Sequence, residues 1–286
     1  MISSKTAFLA LIGNPVKHSL SPIMHNAVIN HLDLDFVYLA LPCEATDFEI
    51  VINALKKVNC RGLNITIPFK EKAFNICKEI TPIAKQIKSV NTLKLNNEGE
   101  WIGTNTDVYG FTYPLKNLDL KGRKSTILGS GGAARSAIQG LINLELSEIN
   151  VISRNEASLN KIQEDFKSQF SIQCYSAINP VTEHVIETSN IIVNSTPVGM
   201  NLESNEKKKL PFGENFWRLL KKETIVYDLI YNPKRTYLLK MSANKGCPVI
   251  DGSEMLIAQG AKSLSYWTNG LAIPTDVMRD SLTNFL

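Results

Sequence analysis

Short apolar runs along this chain alternate with longer stretches in which apolar residues recur every three or four positions, the pattern of strands alternating with helices. Phe8–Ile12 reads as a buried strand closed by the turn Gly13-Asn14-Pro15. Ser21-Pro22 opens a helix, with serine as a good N-cap and proline suited to the first helical position. Phe36–Ala40 predicts a second strand, Thr46–Val58 a helix, and Gly62–Ile67 a strand that stops at Pro68. Asn91–Leu95 is another strand, followed by the turn Asn96-Asn97-Glu98-Gly99. A second series then begins. Ser125–Leu128, Ile149–Ser153, Ile191–Val193, Ile225–Asp228 and Val249-Ile250 read as strands, Ala133–Asn143 as a helix, and a final helix runs from Ser253 onward. This alternation predicts an α/β protein built on parallel sheets. A break near Gly110–Arg123 predicts a junction between two domains, and the polar groups around Gln259 predict that the last helix returns to the first of them.

Composition changes this picture little. Of 286 residues, 44% are hydrophobic and 20% charged, ordinary values for a chain that buries a core. The net charge of +4 is scattered, and its densest run, Lys207-Lys208-Lys209, lies in a polar stretch (Asn201–Pro211) that reads as an exposed loop. No basic stripe is interleaved with aromatics, so nucleic acid is not an expected partner, whereas the modest positive excess suits small anions. The five cysteines include no C-x-x-C pair, which predicts free thiols in a reducing compartment and no metal site. The apolar run at the N-terminus is too short for a signal peptide, and no stretch approaches the ~18–20 apolar residues of a membrane span. A cytoplasmic location is expected.

Candidate chemistry begins with Gly129-Ser130-Gly131-Gly132-Ala133-Ala134, a G-x-G-x-x-A pattern that follows a strand and opens a helix. Gly129 suits the tight turn, Gly131 the close approach of backbone to a pyrophosphate, and Ala134 close packing of helix on strand. The next strand ends at Ser153-Arg154-Asn155, where an acidic residue would select NAD. Arg154 instead suits a 2′-phosphate, so the expected cofactor is NADP.

Four stretches in the first half pair polar residues with tight turns at strand ends, where α/β folds bind ligands: His18–Pro22, Asn64–Lys70, Ser89–Thr92 and Asn105–Asp107. Taken with these, the whole chain resembles the shikimate dehydrogenases. G-N-P-x-x-H-S-x-S-P (13–22), N-I-T-I-P-F-K (64–70), V-N-T (90–92), N-T-D (105–107), G-x-G-G-A (129–133), N-S-T-P-x-G-M (194–200), D-L-I-Y-N-P (228–233) and D-G-x-x-M-L-x-x-Q (251–259) follow one another in that family's order and spacing.

The resemblance implies NADPH-dependent, reversible reduction of 3-dehydroshikimate to shikimate, on the pathway to chorismate and the aromatic amino acids. It implies an α/β substrate-binding domain over residues 1–108, joined by 260–286, and a Rossmann-type NADP-binding domain over 109–259. Lys70 and Asp107 are implied as the catalytic pair. Ser19 and Ser21 are implied at the substrate carboxylate, with Tyr231 near it, and Thr66, Asn91, Asp107 and Gln259 at the ring hydroxyls. Gly129, Ser130, Gly131, Gly132 and Ala133 are implied at the pyrophosphate, Ser153 and Arg154 at the adenosine side, and Leu229 and Gly252 at the nicotinamide end. The partner is then a small molecule, with no nucleic acid, membrane or metal, in a monomer or homodimer. Two departures stand out: the family commonly has Asn-Arg-Thr where this chain has Ser153-Arg154-Asn155, and a glycine where it has Val108.

The residue types fit the chemistry. A ketone that receives a hydride gains negative charge on oxygen and must take up a proton, and a lysine beside that oxygen can answer both needs. Hydroxyl and amide side chains suit a substrate rich in hydroxyls. Three rivals are weighed against this reading. A quinate or dual quinate/shikimate dehydrogenase shares the pair but often accepts NAD, which Arg154 opposes. A non-catalytic ligand sensor would have lost Lys70 or Asp107. A folate-type dehydrogenase would not need H-S-x-S-P or N-T-D.

Overall fold

The computed structural model describes residues 2–200 and 216–286. The stretch Asn201–Pro211, with its lysine run, lies outside the described residues. The chain divides into two compact units. The first comprises Met1–Gly110 and Ile257–Phe285, and the second Phe111–Leu256 together with Leu286.

The first unit carries β1 (Ala7–Gly13), α1 (Ser21–His31), β2 (Phe36–Pro42), α2 (Phe48–Leu55), β3 (Cys60–Ile65), α3 (Lys70–Ile76), β4 (Glu79–Ile80), α4 (Pro82–Ile87), β5 (Thr92–Leu95) and β6 (Trp101–Thr104). Its six strands pair in the order β2-β1-β3-β5-β6-β4. The expectation of parallel sheets is corrected for the first unit, whose sheet is mixed, because β5 runs antiparallel to both β3 and β6. For the β5–β6 pair the reason is the connection. The short Asn96–Gly99 turn, with Gly99 at φ 77°, leaves room only for a hairpin, whereas a parallel return needs a long crossover. Two helix readings also change. Residues 46–58 yield a helix only over Phe48–Leu55. Ser21 is not the N-cap of α1 but its first residue, with Leu20 at the cap and Pro22 next. Ser21 is drawn into the helix because its backbone N–H donates to Ser19 Oγ at 3.2 Å.

The second unit follows from α5 (Asp107–Thr112), within which the chain leaves the first. It carries β7 (Lys124–Leu128), α6 (Gly132–Asn143), β8 (Glu148–Ser153), α7 (Glu156–Phe166), β9 (Gln173–Ser176), α8 (Val181–Thr188), β10 (Ile191–Asn194), α9 (Phe216–Leu219), β11 (Ile225–Asp228), α10 (Tyr237–Asn244) and β12 (Val249–Ile250). All six strands are parallel, in the order β12-β11-β10-β7-β8-β9, which is the doubly wound Rossmann arrangement. Its central strands β7 and β10 are buried on both faces apart from the exposed Lys124, as a sheet covered on both sides requires. The strand order reverses between β7 and β10, and ligands of such folds bind at that switch point. Inside α6, Arg135 is buried and ion-paired to Asp165 at 2.7 Å.

The chain returns to the first unit within α11 (Ser253–Trp267) and ends with α12 (Thr275–Ser281). Docking of α11 is specific. Trp267 Nε1 donates to Leu93 O at 2.8 Å, and its indole lies where a side chain on Gly62 would be: a Cβ there would stand 2.2 Å from Trp267 Nε1. Lys94 Nζ donates to Tyr266 O at 2.8 Å and to Asn269 Oδ1 at 2.6 Å, a cation where the helix C-terminus favours one. Gly62→Ala is therefore expected to expel the indole and break its hydrogen bond. The loss should be about 3 kcal/mol of stability, from overpacking plus an unmet donor, read as a lower urea midpoint. An unchanged midpoint would show that Trp267 shifts freely.

Candidate active site

The mixed sheet of the first unit is what assembles the polar motifs. Antiparallel pairing sets Asn64 opposite Thr92, and Thr92 opposite Thr104, so that residues 64, 91–92 and 104–107 converge on one strand end. Parallel pairing of β1 with β3 places Ile12 beside Ile65, and Thr66 N donates to Ile12 O at 2.9 Å. β3 ends at Ile65, two residues earlier than expected. There Thr66–Phe69 closes a turn around the cis Ile67–Pro68 bond, with Phe69 N donating to Thr66 O at 2.9 Å. That turn delivers Lys70 as the first residue of α3.

Lys70 and Asp107 meet. Nζ lies 2.6 Å from Asp107 Oδ2, with both side chains mostly buried. Asp107 is the first residue of α5, where the helix end favours a carboxylate. Lys70 stands at the same end of α3, where a cation is disfavoured, so the carboxylate is what holds the ammonium there. Asn91 fixes the other carboxylate oxygen, donating from Nδ2 to Asp107 Oδ1 at 2.9 Å and to Thr106 Oγ1 at 3.0 Å, while its Oδ1 accepts from Thr106 N at 2.8 Å. Asn105 closes the arrangement by accepting from Val108 N (3.2 Å) and donating to Ser89 O (3.1 Å).

Ser19, Ser21 and Thr66 lie in the same unit, but among the described residues none reaches Lys70 or Asp107 by a hydrogen bond. Ser19 and Thr66 are half-buried and Ser21 is buried. Gln259 is half-buried on α11, and Tyr231 half-buried beyond β11 in the second unit.

The glycine loop of the second unit closes β7. Gly129 has φ 108°, in the left-handed region, and a Cβ there would stand 2.6 Å from Ser195 Oγ. Gly131 is the N-cap of α6, and a Cβ on it would meet nothing within 4 Å, so this side of the loop is open. Gly132 and Ala133 form the first turn of α6, whose N–H groups lack helical acceptors and favour an anion. These residues fit the pyrophosphate of a dinucleotide. Ser130 Oγ and Ser153 Oγ share a hydrogen bond at 2.8 Å, tying the loop to the end of β8, and Arg154 beside it is exposed. Asn155 caps α7, its Oδ1 accepting from Ser158 N at 3.0 Å, so Arg154 is the cation at this strand end. Leu229 N donates to Asn194 O at 3.0 Å and Gly252 N to Ile230 O at 3.0 Å. Asp228, which opens the D-L-I-Y-N-P motif, organises that corner by accepting from Asn194 Nδ2 (2.9 Å), Thr236 Oγ1 (2.6 Å) and Ile230 N (3.2 Å). Burial pushes its carboxyl up to about 6 despite those donors.

Residues 11–93 match the family model described as the shikimate dehydrogenase substrate binding domain, and residues 252–283 that of the shikimate 5′-dehydrogenase C-terminal domain. The chain is 61% identical, over the full length of both, to a shikimate dehydrogenase (NADP(+)) of Prochlorococcus marinus strain MIT 9215. Among solved structures, shikimate dehydrogenase from Aquifex aeolicus superposes with TM-score 0.88 at 34% identity, covering 99% of this chain and 100% of that one. Shikimate 5-dehydrogenase from Thermus thermophilus, in complex with NADP(H) and shikimate, superposes with TM-score 0.84 at 30% identity, covering 98% and 100%.

Proposed function

The chain belongs to the shikimate dehydrogenase family, and from that premise we propose that Lys70 and Asp107 are the catalytic pair. The reaction is the reversible, NADPH-dependent reduction of 3-dehydroshikimate to shikimate, a step of the shikimate pathway. The observation that carries the assignment is the 2.6 Å contact between Lys70 and Asp107 at the convergence of three motifs. NADPH, when bound, supplies the hydride. Gly129, Ser130, Gly131, Gly132 and Ala133 hold its pyrophosphate, Ser153 and Arg154 its adenosine side, and Leu229 and Gly252 line its nicotinamide end. The Lys70 ammonium stabilises the charge that develops on the carbonyl oxygen and delivers the proton there. Asp107 orients that ammonium and binds a neighbouring hydroxyl. Ser19 and Ser21 receive the carboxylate with Tyr231 near it, and Thr66, Asn91 and Gln259 receive the ring hydroxyls. Such a site rejects analogues lacking a hydroxyl, because its own polar groups are left unmet.

Among the described residues no helix is long and apolar enough to cross a membrane, and free thiols at all five cysteines support a cytoplasmic location. The test is an initial-rate assay with shikimate and quinate, each offered with NADP and NAD, on the wild type and on Arg154→Asp. Shikimate with NADP should turn over fastest. The substitution should raise KM for NADP by roughly 10- to 100-fold, the worth of a charge-assisted contact, and leave KM for NAD nearly unchanged. Equal effects on both cofactors would remove Arg154 from the 2′-phosphate. Faster turnover of quinate with NAD would overturn the specificity assigned to the site.

A further inference from the structure

A buried polar chain runs behind the pair. Tyr38 Oη donates to Asn64 Oδ1 at 2.8 Å. Asn64 Nδ2 donates to Thr92 Oγ1 (3.1 Å) and Ser263 Oγ (3.0 Å). Thr92 Oγ1 donates to Asn91 Oδ1 at 3.0 Å, and Asn91 Nδ2 to Asp107 Oδ1 at 2.9 Å. Ser263 Oγ donates to Gln259 O at 3.0 Å and also lies 3.0 Å from both Thr106 Oγ1 and Thr92 Oγ1.

The following assignment of protons satisfies every donor at the shorter of the available contacts, leaving the 3.3 Å alternative from Thr106 Oγ1 to Asn91 Oδ1 unused. Ser263 gives its single proton to Gln259 O, so the Thr106 hydroxyl donates to Ser263. Thr106 Oγ1 is then left to accept from Asn91. Thr92, accepting from Asn64, gives its proton to Asn91 Oδ1. In this assignment each link from Tyr38 through Asn64, Thr92 and Asn91 donates toward Asp107, so the polarisation of successive bonds accumulates at the carboxylate, while Ser263 acts from the side, as the acceptor that fixes Asn64 and the Thr106 hydroxyl beside Asn91. The ends of the chain are held firmly. Tyr38 stacks on His25 with ring centroids 4.2 Å apart, and both of its backbone polar groups bond to the Asn26 amide, at 2.8 and 2.9 Å. Ser263 is presented one turn after Gln259 by the helix that Trp267 and Lys94 dock.

We infer that Ser263 and Tyr38 are positioning residues of the reaction, acting through Asn91 to aim the Asp107 carboxylate at Lys70. Exposures of 0% and 1% keep both away from any ligand entering from solvent, so their effect passes through other side chains. The inference rests on the assignment of Lys70 and Asp107 as the catalytic pair. It makes the face of α11 part of the catalytic machinery one turn beyond Gln259.

The test places Ser263→Ala and Tyr38→Phe each in the wild type and in Asp107→Asn. In the wild type, each should lower kcat about tenfold, as misaligned catalytic groups do, with KM for shikimate little changed. In Asp107→Asn, already slow, the same substitutions should change kcat by less than about twofold, because residues acting as one unit are not additive. Tyr38→Phe keeps the stack on His25, so it carries the test if Ser263→Ala disturbs folding. A full tenfold loss that persists in Asp107→Asn, a wild-type kcat in both single variants, or a loss confined to KM would overturn the inference while leaving the pair intact. A near wild-type rate for Asp107→Asn itself would overturn the pair, and the inference with it.

Discussion

Lys70→Ala should lower kcat by roughly 10²- to 10⁴-fold with only a modest change in KM, the usual worth of a positioned proton donor. On the role proposed for Lys70, two functions leave with the ammonium: the charge facing the developing oxyanion and the proton that neutralises it. Both act in the transition state more than in the ground state, which is why the loss belongs to kcat. Lys70→Arg separates them. A guanidinium keeps the charge but stays protonated at every accessible pH, so it can stabilise the oxygen without delivering the proton. Its rate should fall between those of the wild type and Lys70→Ala. The alanine variant also leaves Asp107 without its cation, although Asn91 still holds Oδ1 at 2.9 Å, so the fold should survive and the thermal midpoint should confirm it. The measurement is initial velocity with saturating NADPH and 3-dehydroshikimate. A kcat close to wild type would remove Lys70 from the chemistry.

The second large effect is on stability below neutral pH, and it comes from His25. Its ring is fully buried on α1, stacked on Tyr38 at 4.2 Å and tilted against Trp267 at 5.8 Å. Neither ring nitrogen meets a hydrogen-bond partner among the described residues. Burial without a partner disfavours the imidazolium and depresses the group from 6.5 to about 3. The unfolded chain therefore binds a proton that the folded chain refuses between those two values. The resulting stability is fully present above pH 6.5 and is lost progressively as pH falls toward 3, by up to about 5 kcal/mol. Urea midpoints of the wild type between pH 7 and pH 4 should fall steeply. Those of His25→Phe, which keeps an aromatic ring on Tyr38, should fall with a shallower slope, whatever its stability at neutral pH. Equal slopes in the two proteins would mean that His25 finds a proton acceptor in the folded state.

Acid lability of this origin also bears on function, because the histidine stack is one of the supports of Tyr38, where the polar chain behind Asp107 begins. His25 carried no signal in the sequence beyond lying one residue past an apolar position of a helix. Its character comes from the aromatic neighbours of residues 38 and 267, which only folding brings together.

What the sequence by itself determined about this protein is whatever a local stretch can encode. The short runs at Phe8, Ser125, Ile149 and Ile191 read as buried strands of an α/β sheet, and each of them is one. Gly129 makes a turn that another residue would strain and crowd, Gly131 stands at an open helix start, and Arg154 follows a strand end where its charge faces outward. Lys70, Asp107 and Asn91 stood out as polar residues in tight turns at strand ends, but their roles were implied only by the resemblance of the surrounding motifs to the shikimate dehydrogenases. The direction of β5, the short strands β4, β6 and β9, and the place of Ser21 inside α1 were not legible, because each depends on which neighbour supplies a hydrogen bond. Least legible was the chain from Tyr38 through Asn64 to Ser263. Asn64 and Ser263 are 199 positions apart, and each alone looks like an ordinary residue of a strand or helix. Only the tertiary structure decided their role, since a buried hydroxyl or amide gains meaning from the partner that satisfies it, and that partner is chosen by the sheet and by the docking of α11.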